Sequence, residues 1–352
     1  MRYTNACVKT MSGNKQSVFC TFQDAPEHRF SGHPESPGRL RALRNWLQNP
    51  PYSEIVWLEY SAASEAAVGL VHHQALIDFI KEEAQKGSHE IEPSPTYVTH
   101  HSISAALGAV GATLCVSRKI IELGQGRGFA IIRPPGHHAV MDAAMGFCLF
   151  NNVAIAAADA VVSGVERVAI VDFDAHHGNG TEAVFWNTAN VGYLSTHEAD
   201  AYPGTGQMYR TPHAPGRIIN IQVPAFSGKQ VFKPVVDEII LPWLTKFKPA
   251  MVFVSAGYDG HFSDPLTTLT LDTGFYFDLT RKLVAWADAH CDGRLLFVLE
   301  GGYDSLALKD NIQASLAAMC GHFDYDDHYG DKLGPIPDAK EIIKQIIKQH
   351  DL

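Results

Sequence analysis

No C-x-x-C pair occurs in this sequence, and its six cysteines (Cys7, Cys20, Cys115, Cys148, Cys291 and Cys320) stand far apart. That spacing offers neither a disulfide framework nor a zinc ribbon. Most of the six lie in apolar stretches, which marks them as buried free thiols. Charge is scarce too, at 19% of residues, and the formal net charge of −10 argues against direct nucleic-acid binding. No apolar run is of membrane-spanning length, and the first residues lack the charged-then-apolar order of a secretory signal. The expectation is no membrane association and a reducing cytoplasm. There is no internal repeat, no low-complexity tract, and no P-loop or dinucleotide-binding glycine pattern.

What is present is apolar: 46% of 352 residues, enough for a large core. Short β-rich runs alternate with helical patterns. The strands expected are Val18–Phe22, Ile55–Tyr60, Gly128–Ile132, Val168–Asp172, Val191–Thr196, Ile218–Val223, Met251–Ala256 and Leu295–Glu300. Runs such as VAIVDF and MVFVSA are apolar almost throughout, as strands covered on both faces of a parallel sheet are. Helices are expected over His101–Leu123, Asn151–Val162, Phe232–Phe247 and Thr273–His290, and over Asp338–His350 with Asp338 as N-cap. Gly87–Thr96 and Ala199–Arg217 read as long loops, the former a possible oligomer interface. With no break in composition, these elements predict one α/β domain over residues 1–352, helices packed on both faces of the sheet.

The chemistry-bearing residues gather at the C-terminal ends of expected strands, where loops of a parallel sheet converge on one crevice. VAIV runs into Asp172-Phe-Asp174-Ala-His176-His177-Gly-Asn179, MVFVSAG into Tyr258-Asp259, LLFVL into Glu300-Gly-Gly-Tyr303, and GFAIIRPP into Gly136-His137-His138. Any one of these has a structural explanation, since a strand-end Asp is often a helix cap and a lone His a hydrogen-bonded core residue. Together they point to a metal. Asp-x-His offers a carboxylate oxygen and an imidazole nitrogen, both good zinc ligands, and a third Asp from another strand leaves positions open for water and substrate.

The chain resembles the histone deacetylase superfamily, in particular the class II-like bacterial deacetylases, and is similar to acetylpolyamine amidohydrolases. The resemblance rests on HPESPGRL from His33, RPPGHHA, AMGFCLFNN, DFDAHHGNGTE, YPGTG, SAGYD and LEGGYD, in family order. It implies the arginase/deacetylase fold, an eight-stranded parallel sheet between helices. It further implies that Asp174, His176 and Asp259 hold one zinc ion, with Fe2+ or Co2+ as possible substitutes. His138 would be the general base for the attacking water and then the acid for the leaving amine, suited by a pKa near neutrality. His137 would bond to Asp172, and Asn179 would tune His138 with an amide where other members have a carboxylate. Tyr303 would donate its hydroxyl to the developing oxyanion. The family's liganding Asp follows the Gly-aromatic of SAGY, which makes Asp264 structural.

By the same resemblance Phe147 and Tyr202 line an acyl-lysine tunnel with Gly146 and Gly301. Tyr202 departs from the Phe of most relatives. Potassium is expected at Asp172, Asp174, His176, Ser195 and Thr196, and at a second site made by Phe185, Thr188 and Val191 carbonyls. Arginase-like members add carboxylates to hold two metals, but Gly178 and Gly257 stand at those places here. Leu266, after Asp264-Pro265, is an apolar gatekeeper where polyamine-selective relatives have Glu. An acyl-lysine peptide or protein is therefore the expected substrate, and a small acylated amine the alternative. Glu90 or Glu92 could restore polyamine recognition, and His100 and His101 are expected as exposed rim residues. An inactive acyl-lysine-binding scaffold is the reading from another class, and the intact His137, His138 and Tyr303 argue against it.

Overall fold

The computed structural model describes residues 17–48, 50–91, 95–208, 214–332, 334 and 336–352. Cys7 and Glu92 lie outside them. The strands are β1 (Val18–Gln23), β2 (Ile55–Trp57), β3 (His89–Ile91), β4 (Thr96–Val98), β5 (Arg127–Ile132), β6 (Val168–Asp172), β7 (Val191–Glu198), β8 (Ile218–Val223), β9 (Met251–Ala256) and β10 (Leu295–Leu299). Eight of them form one sheet in the order β2-β1-β5-β10-β9-β6-β7-β8. Every ladder in it is parallel.

All eight expected strands are present. β2 ends early: past Trp57 the Leu58 amide still donates to the Cys20 carbonyl, and the next contact with β1 is made by a side chain, the Tyr60 hydroxyl on the Phe22 carbonyl. β7 runs two residues longer, because Glu198 still pairs with Val223 on β8.

Alternation along each strand sorts side chains to two apolar layers. Ala169, Val171, Val252 and Val254 face one layer, under helices Lys229–Phe247, Thr273–His290, Ser305–Cys320 and Lys340–His350. Val168, Ile170, Met251 and Phe253 face the other, under Gln74–Gln85, Ser102–Leu123 and Asn152–Val162.

Several elements differ from expectation. Part of the Gly87–Thr96 stretch is ordered, because β3 pairs antiparallel with β4. The helix expected from Phe232 starts at Lys229 and loosens into a π-turn at Val236–Ile240. Asp338 is not the N-cap of the last helix. Ala339 holds that place, and Asp338 Oδ1 accepts from the Lys340 amide at 3.0 Å. Ser102–Leu123 is, by length and composition, apolar enough to cross a membrane, but 67% of its most apolar window is buried inside the fold. It packs on β1, β5 and Asn152–Val162. The interior of this protein accounts for its hydrophobicity.

Candidate metal centre and catalytic cleft

The four strands that deliver the motifs, β5, β10, β9 and β6, are consecutive neighbours in the sheet. Their C-terminal loops therefore meet at one place. Asp174 and His176 follow β6, Asp259 follows β9, and one ligand atom from each lies within 4.8 Å of the others. His176 Nδ1 is 3.1 Å from Asp174 Oδ1 and 2.8 Å from Asp259 Oδ2. The remaining carboxylate oxygens are fixed from behind: Asp174 Oδ2 accepts from the Gly301 amide at 2.8 Å, and Asp259 Oδ1 from the Ala175 amide at 2.9 Å.

Both carboxylates are buried, and burying two such charges together is costly without a cation. They shift the His176 imidazole pKa well above the usual histidine range. Burial opposes the charged form, but hydrogen bonds and attraction from Asp174 and Asp259 outweigh it. A metal ion at the same point serves both carboxylates and releases the proton. The two-oxygen, one-nitrogen donor set suits zinc, and three ligands leave coordination open.

The glycines beside this centre are there because a side chain does not fit. A Cβ on Gly301 would come 2.5 Å from Asp259 Oδ2, and one on Gly257 would come 2.0 Å from Asp174 Oδ2. At Gly178 it would meet Asp172 Oδ2 at 2.2 Å. The two positions where a second metal would need extra carboxylates are thus closed by contact as well as by sequence.

Above the centre stand His137 and His138, with ring centroids 4.1 Å apart. His137 Nδ1 donates to Asp172 Oδ2 at 3.1 Å, and Tyr193 donates to the same oxygen. Burial would discharge His137, but the charges of Asp174 and Asp172 raise its pKa to about 10. His138 differs. Burial, with the positive charges of His137 and His176, pushes it well below the usual histidine range. Its Nδ1 lies 2.8 Å from Asn179 Oδ1. Two adjacent imidazoles are thereby shifted in opposite directions, His137 toward its charged form and His138 toward its neutral one.

Tyr303 closes the other side. Burial raises its phenol well above the ordinary range, so the hydroxyl remains a donor. Its amide donates to Asp264 Oδ2 at 2.7 Å, and its ring lies 5.7 Å from that of Phe147. Asp264 is thus the anchor of Tyr303 and is not among the clustered ligands. The Arg39 guanidinium sits 4.6 Å over the Tyr303 ring and donates to the carbonyls of Gly302 at 2.7 Å and Glu300 at 2.6 Å. Arg39 is itself held by buried Glu35, which also takes a two-pronged contact from Arg133 at 2.6 and 2.8 Å. Against the desolvation cost, Arg133 and Arg39 keep the Glu35 carboxyl at about 2. Glu300, whose Oε2 accepts from the Gly136 and His137 amides, is raised by burial to about 7.

Sequence reasoning assigned Arg39, Glu35 and Glu300 no role. The signal was the i,i+4 Glu-Arg pair in HPESPGR and the carboxylate closing β10.

A cavity of about 210 Å3 leads to the metal centre. Phe147, Tyr202, Pro95 and Pro135 wall it, with Leu266 at its edge and His137, His138, Asp174, His176, Gly301 and Tyr303 deeper. Gly146 has φ +57°, and a Cβ there would come 2.4 Å from the His138 ring, so bare backbone is required. Phe147 follows at φ 69°. Tyr202 stands edge-on to His138, centroids 5.0 Å apart. Its hydroxyl, near the Gly146 backbone, is buried without a well-formed hydrogen bond. Glu90 and His100 are exposed, and neither lines the cavity. Exposed His101 is the N-cap residue of Ser102–Leu123.

The two expected potassium sites differ. Asp172 and Ser195 pair across the β6–β7 ladder, and Thr196 Oγ1 lies 3.5 Å from the Asp172 carbonyl, beside Asp174 and His176. The Phe185, Thr188 and Val191 carbonyls also converge, but on the guanidinium of Arg217.

A family model described as the histone deacetylase domain matches residues 33–319. A probable deacetylase from Archaeoglobus fulgidus is 40% identical over 297 residues, 82% of this chain and 82% of that protein. Histone deacetylase 14, chloroplastic, from Arabidopsis thaliana is 37% identical over 314 residues, 84% of this chain and 74% of that protein. Among solved structures, the crystal structure of an HDA15 HD domain matches with a TM-score of 0.84 at 28% identity, over 95% of each chain.

Proposed function

The chain belongs to the histone deacetylase family, and from that premise we propose that it is a zinc-dependent deacylase that hydrolyses the Nε-acyl amide of acyl-lysine. One observation carries this reading: Asp174 and His176, clustered with Asp259, border one cavity together with His138 and Tyr303. Zinc, when bound by Asp174, His176 and Asp259, supplies Lewis acidity that polarises the amide carbonyl and the attacking water.

The chain's own residues supply the rest. His138 takes a proton from the attacking water at Nε2 and later delivers it to the leaving amine. His137, kept cationic by Asp172 and Asp174, contributes a positive charge beside the tetrahedral transition state, whose negative charge builds on the former carbonyl oxygen. Tyr303 donates to the developing oxyanion, a bond strongest in the transition state. Phe147 and Tyr202 flank the methylene stem, with Gly146 and Gly301 giving it room. A monovalent cation held by Asp172, Asp174, His176, Ser195 and Thr196 would support the floor of the site. Iron or cobalt would serve the same donor set.

Leu266, 41% exposed at the cavity edge, offers no carboxylate for a distal ammonium, which favours acyl-lysine over an acylated polyamine. The described cysteines are free thiols, which suits a reducing cytoplasm. One relative is named chloroplastic, so family membership does not set the compartment.

The test compares kcat/KM on an acetyl-lysine peptide with that on acetylputrescine and acetylspermidine. Higher turnover of the peptide is expected, and a strong polyamine preference would overturn the substrate assignment. Full activity in zinc-depleted protein, or in His138→Ala and Tyr303→Phe, would overturn the mechanism.

A further inference from the structure

The segment after Asn179–Phe185 is built to hold a positive charge, and the charge it holds is its own. Arg217 Nη1 donates to the carbonyls of Phe185 at 2.7 Å, Thr188 at 3.2 Å and Val191 at 3.4 Å, while Nη2 donates to the Trp186 carbonyl. Phe185 is the last residue of that helix and Trp186 its C-cap. Carbonyls at a helix C-terminus lack intrahelical partners and carry the negative end of the helix dipole, so a cation is favoured there.

We infer that Arg217 is a resident cation: its guanidinium takes the place of a monovalent ion among the Phe185, Thr188 and Val191 carbonyls, and this protein binds no potassium at that point. Three features support this. The acceptors are all neutral carbonyl oxygens, and among the described residues no ion pair with a carboxylate holds the side chain elsewhere. Second, the approach is fixed by backbone. Arg217 lies just before β8, its amide donates to Ala214 at 3.0 Å and its carbonyl accepts from Tyr193 at 2.8 Å. The side chain therefore starts beside the carbonyls it serves. Third, burial lowers the guanidinium pKa, but a guanidinium stays charged at any neutral pH. A potassium ion sharing these oxygens would face that charge at contact distance.

The clamp also has a direction. The helix that Arg217 closes is seven residues long and opens with Asn179, which hydrogen-bonds the His138 base.

The test uses the zinc-loaded protein and thallium(I), whose anomalous scattering locates potassium sites. Wild-type crystals soaked in thallium(I) are expected to show no peak among the Phe185, Thr188 and Val191 carbonyls. Arg217→Ala is expected to gain one. In tetramethylammonium chloride its melting temperature should fall by roughly 2–4 °C or more below wild type. An equal concentration of potassium chloride should restore more of that loss than wild type gains. Thallium among those carbonyls in the wild type overturns the inference, and this arm needs no variant to fold. Arg217→Ala with neither a thallium peak nor extra potassium dependence overturns it too, because the guanidinium would then not be standing in for an ion.

Discussion

His138 Nδ1 lies 2.8 Å from Asn179 Oδ1, and the donor in that hydrogen bond is the histidine. The Asn179 amide is oriented by its NH2, which faces the His138 carbonyl at 3.3 Å and Met145 Sδ at 3.4 Å. An amide oxygen only accepts, so the proton sits on Nδ1 and Nε2 is left with its lone pair. This pair determines both the tautomer and the basicity of the proposed general base.

Asn179→Asp should therefore raise the His138 pKa, because a carboxylate at hydrogen-bond distance favours the imidazolium. The acidic limb of the kcat/KM–pH profile is expected to move up by about one unit or more. Activity near pH 6 should fall more than activity near pH 8. A profile that stays in place would disconnect Asn179 from the base.

Tyr303→Phe removes one hydroxyl and leaves the ring on Phe147 and Arg39. A lost oxyanion donor costs about 100- to 1000-fold in kcat. The expected pattern is that loss with KM and melting temperature nearly unchanged, read by steady-state kinetics and thermal unfolding. Retention of more than a tenth of kcat would remove the hydroxyl from the transition state.

Chelation should abolish activity and lower the melting temperature, since it leaves Asp174 and Asp259 buried together. Adding back zinc at about 1,000 times its Kd would return roughly 4 kcal/mol of stability. Calorimetry should find one catalytic zinc per chain, given the contact-closed positions at Gly178 and Gly257. Two tight zinc equivalents would falsify the mononuclear site.

Much of this was legible because the strong signals are local. β5, β6, β9 and β10 are short apolar runs with Asp, His or Glu at their end or in the loop that follows, and a strand end is where a parallel sheet places its loops. Harder to read were relationships made across the fold. Asp264 and Tyr303 are far apart in sequence, and nothing local shows that one carboxylate anchors the other's amide. Ser305–Cys320 escaped because its polar Lys309, Asp310, Asn311 and Gln313 are buried too, which erases the two-faced pattern a helix usually shows. Gln74–Gln85 does bury one stripe, Leu76, Ile77, Ile80 and Ala84, and its periodicity could have been found. Phe185, Thr188 and Val191 were recognised as a carbonyl cluster. The residue on which they converge, Arg217, becomes visible only when β8 is laid beside β7.

The same burial that tunes His138 also makes the fold sensitive to acid at sites remote from the metal. His72 Nδ1 donates to the Val140 carbonyl at 2.9 Å, while Nε2 accepts from the Asn151 amide at 2.8 Å, an arrangement only neutral imidazole allows. Burial holds its pKa at about 4, and burial likewise leaves His28 at about 4 despite the nearby Glu35 charge. In the unfolded chain both would titrate near ~6.5. Above that pH both states are neutral and stability is complete. Between there and pH 4 the unfolded chain takes up protons that the folded one refuses, and stability falls by up to about 1.4 kcal/mol per pH unit for each histidine. Below pH 4 their contribution to the loss ends. Urea unfolding of the zinc-saturated protein at pH 7.5, 6 and 5 should show this decline. His72→Gln, which cannot titrate but can still donate and accept, should start less stable and decline less steeply. An unchanged slope in that variant would place the acid sensitivity elsewhere.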